Sequence, residues 1–284
     1  MADDDSAESS GHSPESADPS VHPNLVIVAL VGVAAGALGG LFGVGGGLII
    51  VPGLVLVVKL DRRLANGTSL AATLPIALAS LGTYVYNDNV DWAVAGILTV
   101  GTVVGAVIGT KLLTILPKRT ITIVFTVTVL ATAIRLFTTS ETTGRADLSP
   151  TIGIVLVVIG VASGTLSGLL GIGGGVVLVP AMVVGLGMVP VFAKGTSVAV
   201  IVPTSIVGTS RNRKTAYVDF KVAGVAGSSG AVVAVIGGLI ADDISTPVSN
   251  VMFALLLLFV AATQLATLRS DRRAGVAAVS TTPG

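Results

Sequence analysis

The sequence predicts an all-α polytopic membrane protein of two homologous halves, inverted with respect to one another and interrupted by glycine-broken helices. Three observations carry this prediction. Of 284 residues, 52% are hydrophobic and 11% charged, with a mean hydropathy of +0.95, whereas a soluble domain carries about 25% charged residues. The stretch LFGVGGGLIIVP at 41–52 returns as LLGIGGGVVLVP at 169–180, an offset of 128 residues. The loops between apolar runs then carry opposite charge patterns in the two copies.

Along the chain, residues 1–23 hold six acidic side chains and no Lys or Arg. A signal peptide begins with a positive segment, so this stretch reads as a solvated, disordered acidic tail. Residues 24–139 form the first membrane repeat. They comprise a glycine-broken apolar run (24–58), the loop 59–67, and spans at 68–86, 92–116 and 120–137. A linker at 140–150 leads to the second repeat, 151–268, and a C-terminal tail at 269–284. Spans of about 20 apolar residues cross a bilayer as helices, and the 10-residue alternation of membrane β-strands is absent. Eight to ten transmembrane segments result, depending on whether each glycine run crosses once or twice.

The duplication keeps its register without a gap. Pro52 corresponds to Pro180, Gly67-Thr68-Ser69 to Gly195-Thr196-Ser197, Pro75 to Pro203 and Asp91 to Asp219. Charge then decides the relative orientation. The loop 87–91 has no Lys or Arg, while its counterpart carries Arg211, Arg213 and Lys214. Lys and Arg prefer the cytoplasmic side. In an inverted arrangement thirteen of the sixteen fall there, against a split of seven to nine in a parallel one. That count places the C-terminus in the cytoplasm of a multi-pass cell-membrane protein.

Composition also excludes chemistry. There is no cysteine, and both histidines, His12 and His22, lie in the acidic tail. Thiol catalysis, thiolate metal sites and intramembrane histidine sites are therefore unavailable. No nucleophile–base pair is evident, so the chain is expected not to be an enzyme, to carry no cofactor or metal, and to bind no nucleic acid.

The candidate site residues are the paired glycines and the polar positions downstream of them. Gly45, Gly46 and Gly47, with Gly173, Gly174 and Gly175, lie in long apolar runs, and paired Gly/Pro-interrupted segments point to a transporter binding site. Helix packing through small residues is the simpler alternative for any one cluster. Thr68, Ser69, Thr196 and Ser197 stand where loops give way to spans, in the position of a helix N-cap. A plain cap is the simpler explanation of them. In the functional reading, helix N-termini offer N–H groups and partial positive charge to an oxyanion. Lys194 precedes the second Gly-Thr-Ser and is the cation best placed to meet an anion, where the first repeat has Asn66.

Taken together, G-x-x-x-G-x-x-G-x-GGG-x-x-x-x-P followed by A-x-GTS occurs twice. It reads Gly36, Gly40, Gly43, Gly45–Gly47, Pro52, Ala65 and Gly67–Ser69, with the same pattern 128 residues later. This doubled motif resembles the sulfite exporter TauE/SafE family, also called the 4-toluene sulfonate uptake permeases. The resemblance implies transport of sulfur-containing or organic anions such as sulfite or sulfoacetate. The function expected is secondary transport of a small anion, with an anion channel built on the same dipoles as the alternative. Substrate, direction, oligomeric state and any proton or sodium coupling stay open.

Overall fold

A computed structural model describes residues 24–112, 149–214, 217–245 and 247–262, together with positions 123, 126, 127, 130 and 134, which are helical. Nine helices are bounded among the described residues. The first repeat contributes α1 (Leu25–Phe42), α2 (Gly47–Leu56), α3 (Arg62–Tyr86) and α4 (Trp92–Leu112). The second contributes α5 (Pro150–Leu170), α6 (Gly175–Leu186), α7 (Pro190–Lys214), α8 (Phe220–Asp243) and α9 (Pro247–Ala262). Six of these are long and apolar enough to cross a membrane. The tails and most of the linker lie outside the described residues.

The repeat is visible in the packing. Gly32, Gly36 and Gly40 of α1 abut the backbone of Ala226, Gly230 and Ala234 of α8, so the two helices run parallel in close contact. Gly160 and Gly164 of α5 abut Leu98 and Thr102 of α4, which is the same contact shifted by 128 residues. Each repeat's first helix is thus clamped to the other repeat's fourth. With no hydrophobic drive between helices in lipid, such backbone proximity maximises van der Waals contact, and only small residues permit it. Tyr84 ties α3 into the same cluster, its Oη donating to Gly40 O at 2.8 Å.

The direction of the central helices establishes the inversion. Gly67 of α3 lies against Asn212 of α7, Leu70 against Gly208, and Tyr84 against Gly195. As numbers rise along α3 they fall along α7, so these equivalent helices are antiparallel. The two-fold relating the repeats therefore lies across the helix axes, as the loop charges predicted. The short helices fold back on their predecessors: Gly46 meets Ala35, and Gly53 further along α2 meets Val31 nearer the start of α1. At ten residues, α2 reaches about 15 Å, half the thickness of a bilayer core.

Burial sorts the helices into two layers. Of the best 18-residue windows, 56% of that in α3 and 67% of that in α7 is buried, against 39–44% in α1, α4, α5 and α8. The four outer helices turn side chains such as Leu30, Val104, Ile154 and Val232 outward, the apolar surface that lipid requires.

One expectation is corrected. Gly-Thr-Ser does not cap a helix in either repeat: α3 begins at Arg62 and α7 at Pro190, so both tripeptides lie within the second turn. Asp61 is the true cap of α3, its carboxylate accepting from Arg63 N at 2.8 Å. Residues 59–67 are dense in charge and read as loop, yet Leu64 and Ala65 already follow helical periodicity and Ala65 is fully buried. Asp219 caps α8, its carboxylate accepting from Lys221 N and Val222 N.

Candidate functional site

The two glycine turns meet at the pseudo-two-fold axis. In each, a left-handed glycine ends the long helix (Gly43, φ 68°; Gly171, φ 72°) and another opens the short one (Gly46, φ 78°; Gly174, φ 84°). An L-residue pays about 1–2 kcal/mol in that region, which explains the glycines at these positions. The turns also touch across the axis: Gly47 packs on Ile172 and Gly175 on Val44. Here 172 and 44 are equivalent positions, so each turn does to the other what is done to it. The N-termini of α2 and α6 both open at this crossing, and neither has a side-chain cap. Their first N–H groups have no partner within the helix.

The centre of the crossing is Thr73 of α3 with Ile201 of α7, again equivalent residues. A Cβ at Gly45 would lie 2.9 Å from Thr73 Cγ2 and 3.0 Å from Ile201 Cγ2, and one at Gly173 would lie 3.3 Å and 3.4 Å from the same atoms. Thr73 is fully buried, and its hydroxyl has no hydrogen-bond partner among the described residues. Sequence reasoning passed it over. The available signal was a hydroxyl one helical turn after Ser69 with isoleucine in the equivalent place.

Of the sequence-predicted residues, Gly45–Gly47, Gly173–Gly175 and Lys194 meet at the glycine turns. Ser69 and Ser197 stand one turn before Thr73 and Ile201, fully buried and with hydroxyls that have no partner among the described residues. Thr68 and Thr196 do something else. Thr68 Oγ1 accepts from Asp219 N and Thr196 Oγ1 from Asp91 N, both at 2.9 Å. Each clasps the loop before the other repeat's fourth helix, while Gly67 and Gly195 admit the carbonyls of Tyr217 and Asn89 alongside.

Side chains break the symmetry that the backbone keeps. Lys194 is 2% exposed; its backbone packs on Gly43 and its Nζ lies 5.7 Å from the centre of the Phe42 ring. Cation–π contact of this kind offsets part of the cost of burying an ammonium. Phe42 in turn stacks on Phe253 of α9 at 5.5 Å. The equivalent Asn66 packs on Gly171 and donates from Nδ2 to Leu169 O at 3.1 Å. Beside the second turn, Ser163 Oγ donates to Gly174 O at 2.9 Å and Ser167 Oγ is buried without a partner among the described residues, where the first repeat has Ala35 and Gly39. One turn thus carries a cation in an aromatic setting and the other carries neutral hydroxyls and an amide.

Among the described residues no cluster of His, Cys, Asp or Glu is arranged to hold a metal. Pro75, inside α3, packs its ring on Gly227 and so seats α8 against α3.

Two inverted repeats, each with a helix broken at the shared axis, define the architecture of a membrane transporter. The chain matches the profile of the sulfite exporter TauE/SafE family over residues 7–136 and 155–283, and it belongs to that family. It is 26% identical over 221 residues to the probable membrane transporter protein YunE of Bacillus subtilis (strain 168), covering 69% of this chain and 81% of that one. It is 30% identical over 198 residues to the probable membrane transporter protein MJ0441 of Methanocaldococcus jannaschii, covering 65% and 70%. A probable membrane transporter protein of Xylella fastidiosa (strain Temecula1) is 37% identical over 106 residues, covering 37% and 41%. No solved structure matches the chain.

Proposed function

We propose that this protein is a secondary transporter for a small anion, a sulfur oxyanion or organosulfonate such as sulfite or sulfoacetate, bound where the two glycine turns meet. The observation that carries this reading is Lys194: a lysine 2% exposed, beside one glycine turn, with no carboxylate paired to it among the described residues. An unpaired ammonium in a membrane interior is costly and marks a substrate path or a counter-ion site. An anionic ligand would supply the missing charge. The uncapped N-termini of α2 and α6 add N–H groups and partial positive charge, which suit oxyanions, and the buried hydroxyls of Ser69, Thr73 and Ser197 add donors.

The inverted repeats favour alternating access over an open pore, since repeats of this kind rock about a fixed midplane site. Of the nine Lys and Arg among the described residues, eight belong to the end of the bundle where α1 and α3 begin, and Lys194 is the exception. That end is assigned to the cytoplasm, which brings the C-terminus there after an odd number of crossings beyond α8.

Two experiments test this. Purified protein in liposomes should take up radiolabelled sulfite with saturation, and an imposed proton or sodium gradient should drive it. Linear, unsaturated flux would favour a channel, and no flux of any sulfur oxyanion would overturn the substrate reading. For orientation, cysteines at the exposed positions Asp88 and Arg213 should label from outside and from inside respectively. Labelling from the same side would overturn the assignment.

A further inference from the structure

Eight buried side-chain polar atoms have no hydrogen-bond partner among the described residues, and all are hydroxyls. Six of the eight lie on the two central antiparallel helices: Ser69, Thr73 and Ser80 on α3, and Ser197, Ser205 and Thr209 on α7. Five of these six residues are fully buried. Native proteins pair the great majority of their buried polar atoms, and an orphaned hydroxyl costs about what a lost hydrogen bond is worth. Six on one helix pair call for a common partner.

Their placement follows a path. On α3, positions 69, 73 and 80 fall within about 40° of one another at 100° per residue, so they share a face. Thr73 fixes where that face points, because it touches both glycine turns. On α7, Ser205 and Thr209 fall within about 40° of one another, and Ser197 lies about 80° from Ser205. The antiparallel contacts set the register, with Leu70 beside Gly208, Thr73 level with Ile201 and Tyr84 beside Gly195. Ser80 and Ser197 therefore lie on one side of the axis, and Ser69, Ser205 and Thr209 on the other. At 1.5 Å per residue the six extend from about 12 Å on one side to about 10 Å on the other, most of a bilayer core of about 30 Å. Lys194 and Asn66 flank this stretch, seven residues before the axis on α7 and α3 respectively.

We propose that these six hydroxyls line the route by which a partly hydrated small anion reaches the central site from either end of the bundle. The inference rests on the anion reading above and adds its path. A serine or threonine hydroxyl donates to an anion when one passes and exchanges bonds with water when none does. A wall of neutral donors therefore stabilises an anion in transit without the deep trap that a row of fixed cations would create. Conduction needs sites weak enough to leave. The sole buried cation, Lys194, is confined to one end of the row among the described residues.

The absence of native cysteine makes the test direct. Single cysteines would be placed at Ser69, Thr73, Ser80, Ser197 and Ser205, with controls at Ala72 and Val200, buried apolar positions off that face on the same helices. Each variant in liposomes would be treated with a small anionic methanethiosulfonate. The row should react severalfold faster than the controls, because the reagent needs a thiolate that water can reach. Rates equal to the controls would overturn the path even if sulfite flux persists. Reactive cysteines without flux of any sulfur oxyanion would leave the path standing and overturn the substrate reading instead. Where a cysteine variant does not fold, Ser80→Ala and Ser205→Ala provide the second readout. Flux should fall severalfold in each and recover with Ser→Thr, and unchanged flux in both would contradict the proposal.

Discussion

The two glycine turns share a backbone and differ in what surrounds it. Both end a long helix with a left-handed glycine, open a short one with another, and pack on equivalent residues of the opposite repeat. Around the first stand Lys194, Phe42 and Ala35; around the second stand Asn66, Ser163 and Ser167. At the axis, threonine faces isoleucine. The basic end shows the same divergence, since Arg63 donates to Tyr217 Oη at 3.4 Å and stacks over its ring, whereas the equivalent positions at the other end are Val191 and Asn89. Duplication thus supplies a symmetric scaffold, and side chains make its two ends unlike. On the proposed reading, an anion would meet a cation near one end and neutral groups near the other.

The largest effects should respect the symmetry. Gly36→Leu and Gly164→Leu each drive a side chain into the backbone of the opposing helix, at Gly230 and Thr102. Overpacking of this kind costs about 3 kcal/mol, and both variants should lose that much in thermal unfolding measured in detergent. A large loss in one and none in the other would show that the two helix pairs are not equivalent.

The next effect should break the symmetry. Lys194→Gln removes a charged donor worth about 1.5–3 kcal/mol and should weaken sulfite binding about ten- to a hundredfold. Asn66→Leu, at the equivalent place, should leave affinity nearly unchanged and cost about 1 kcal/mol of stability for its lost bond to Leu169 O. Binding titrations on both variants decide; equal losses would make the half-sites alike.

Smaller again is the contrast between Gly46→Ala and Gly174→Ala. Both pay about 1–2 kcal/mol for the left-handed region, and both should reach the membrane folded but with transport lost. At Gly46 the new Cβ would lie 2.8 Å from the carbonyl of Ala35, which is backbone; at Gly174 it would lie 2.8 Å from Ser163 Oγ, which can rotate. The first should therefore be the less stable, by about 1 kcal/mol. A double variant with Ser163→Ala should recover part of the Gly174→Ala loss and none of the Gly46→Ala loss.

The smallest effects belong to single hydroxyls. Ser69→Ala and Ser197→Ala should each weaken binding roughly 2- to 13-fold, the worth of a neutral hydrogen bond of about 0.5–1.5 kcal/mol. Thr68→Val and Thr196→Val should instead show mainly in stability, since they unclasp Asp219 N and Asp91 N.

Much of the scaffold was legible because glycine and proline are read by what they forbid. Four glycines in five positions end a helix wherever they fall, and their recurrence at one offset announces a duplicated break. Opposite loop charges gave the inversion, now seen in the antiparallel run of α3 and α7. The start of α3 was hidden because Lys59, Asp61, Arg62 and Arg63 look like loop, and charge density outweighed the short apolar pattern after them. The Thr68–Asp219 clasp joins residues 151 apart, a pairing no local pattern contains. Thr73 was invisible for a related reason: a lone threonine in an apolar span reaches the axis only when two distant glycine turns close around it.

On the proposed reading, two symmetric turns build one asymmetric anion site. Equilibrium binding of radiolabelled sulfite to the purified protein, counted per chain, is the test. One site per chain is expected, weakened about ten- to a hundredfold in Lys194→Gln and spared in Asn66→Leu. Two equal sites per chain, or an affinity unmoved by Lys194→Gln, would contradict it.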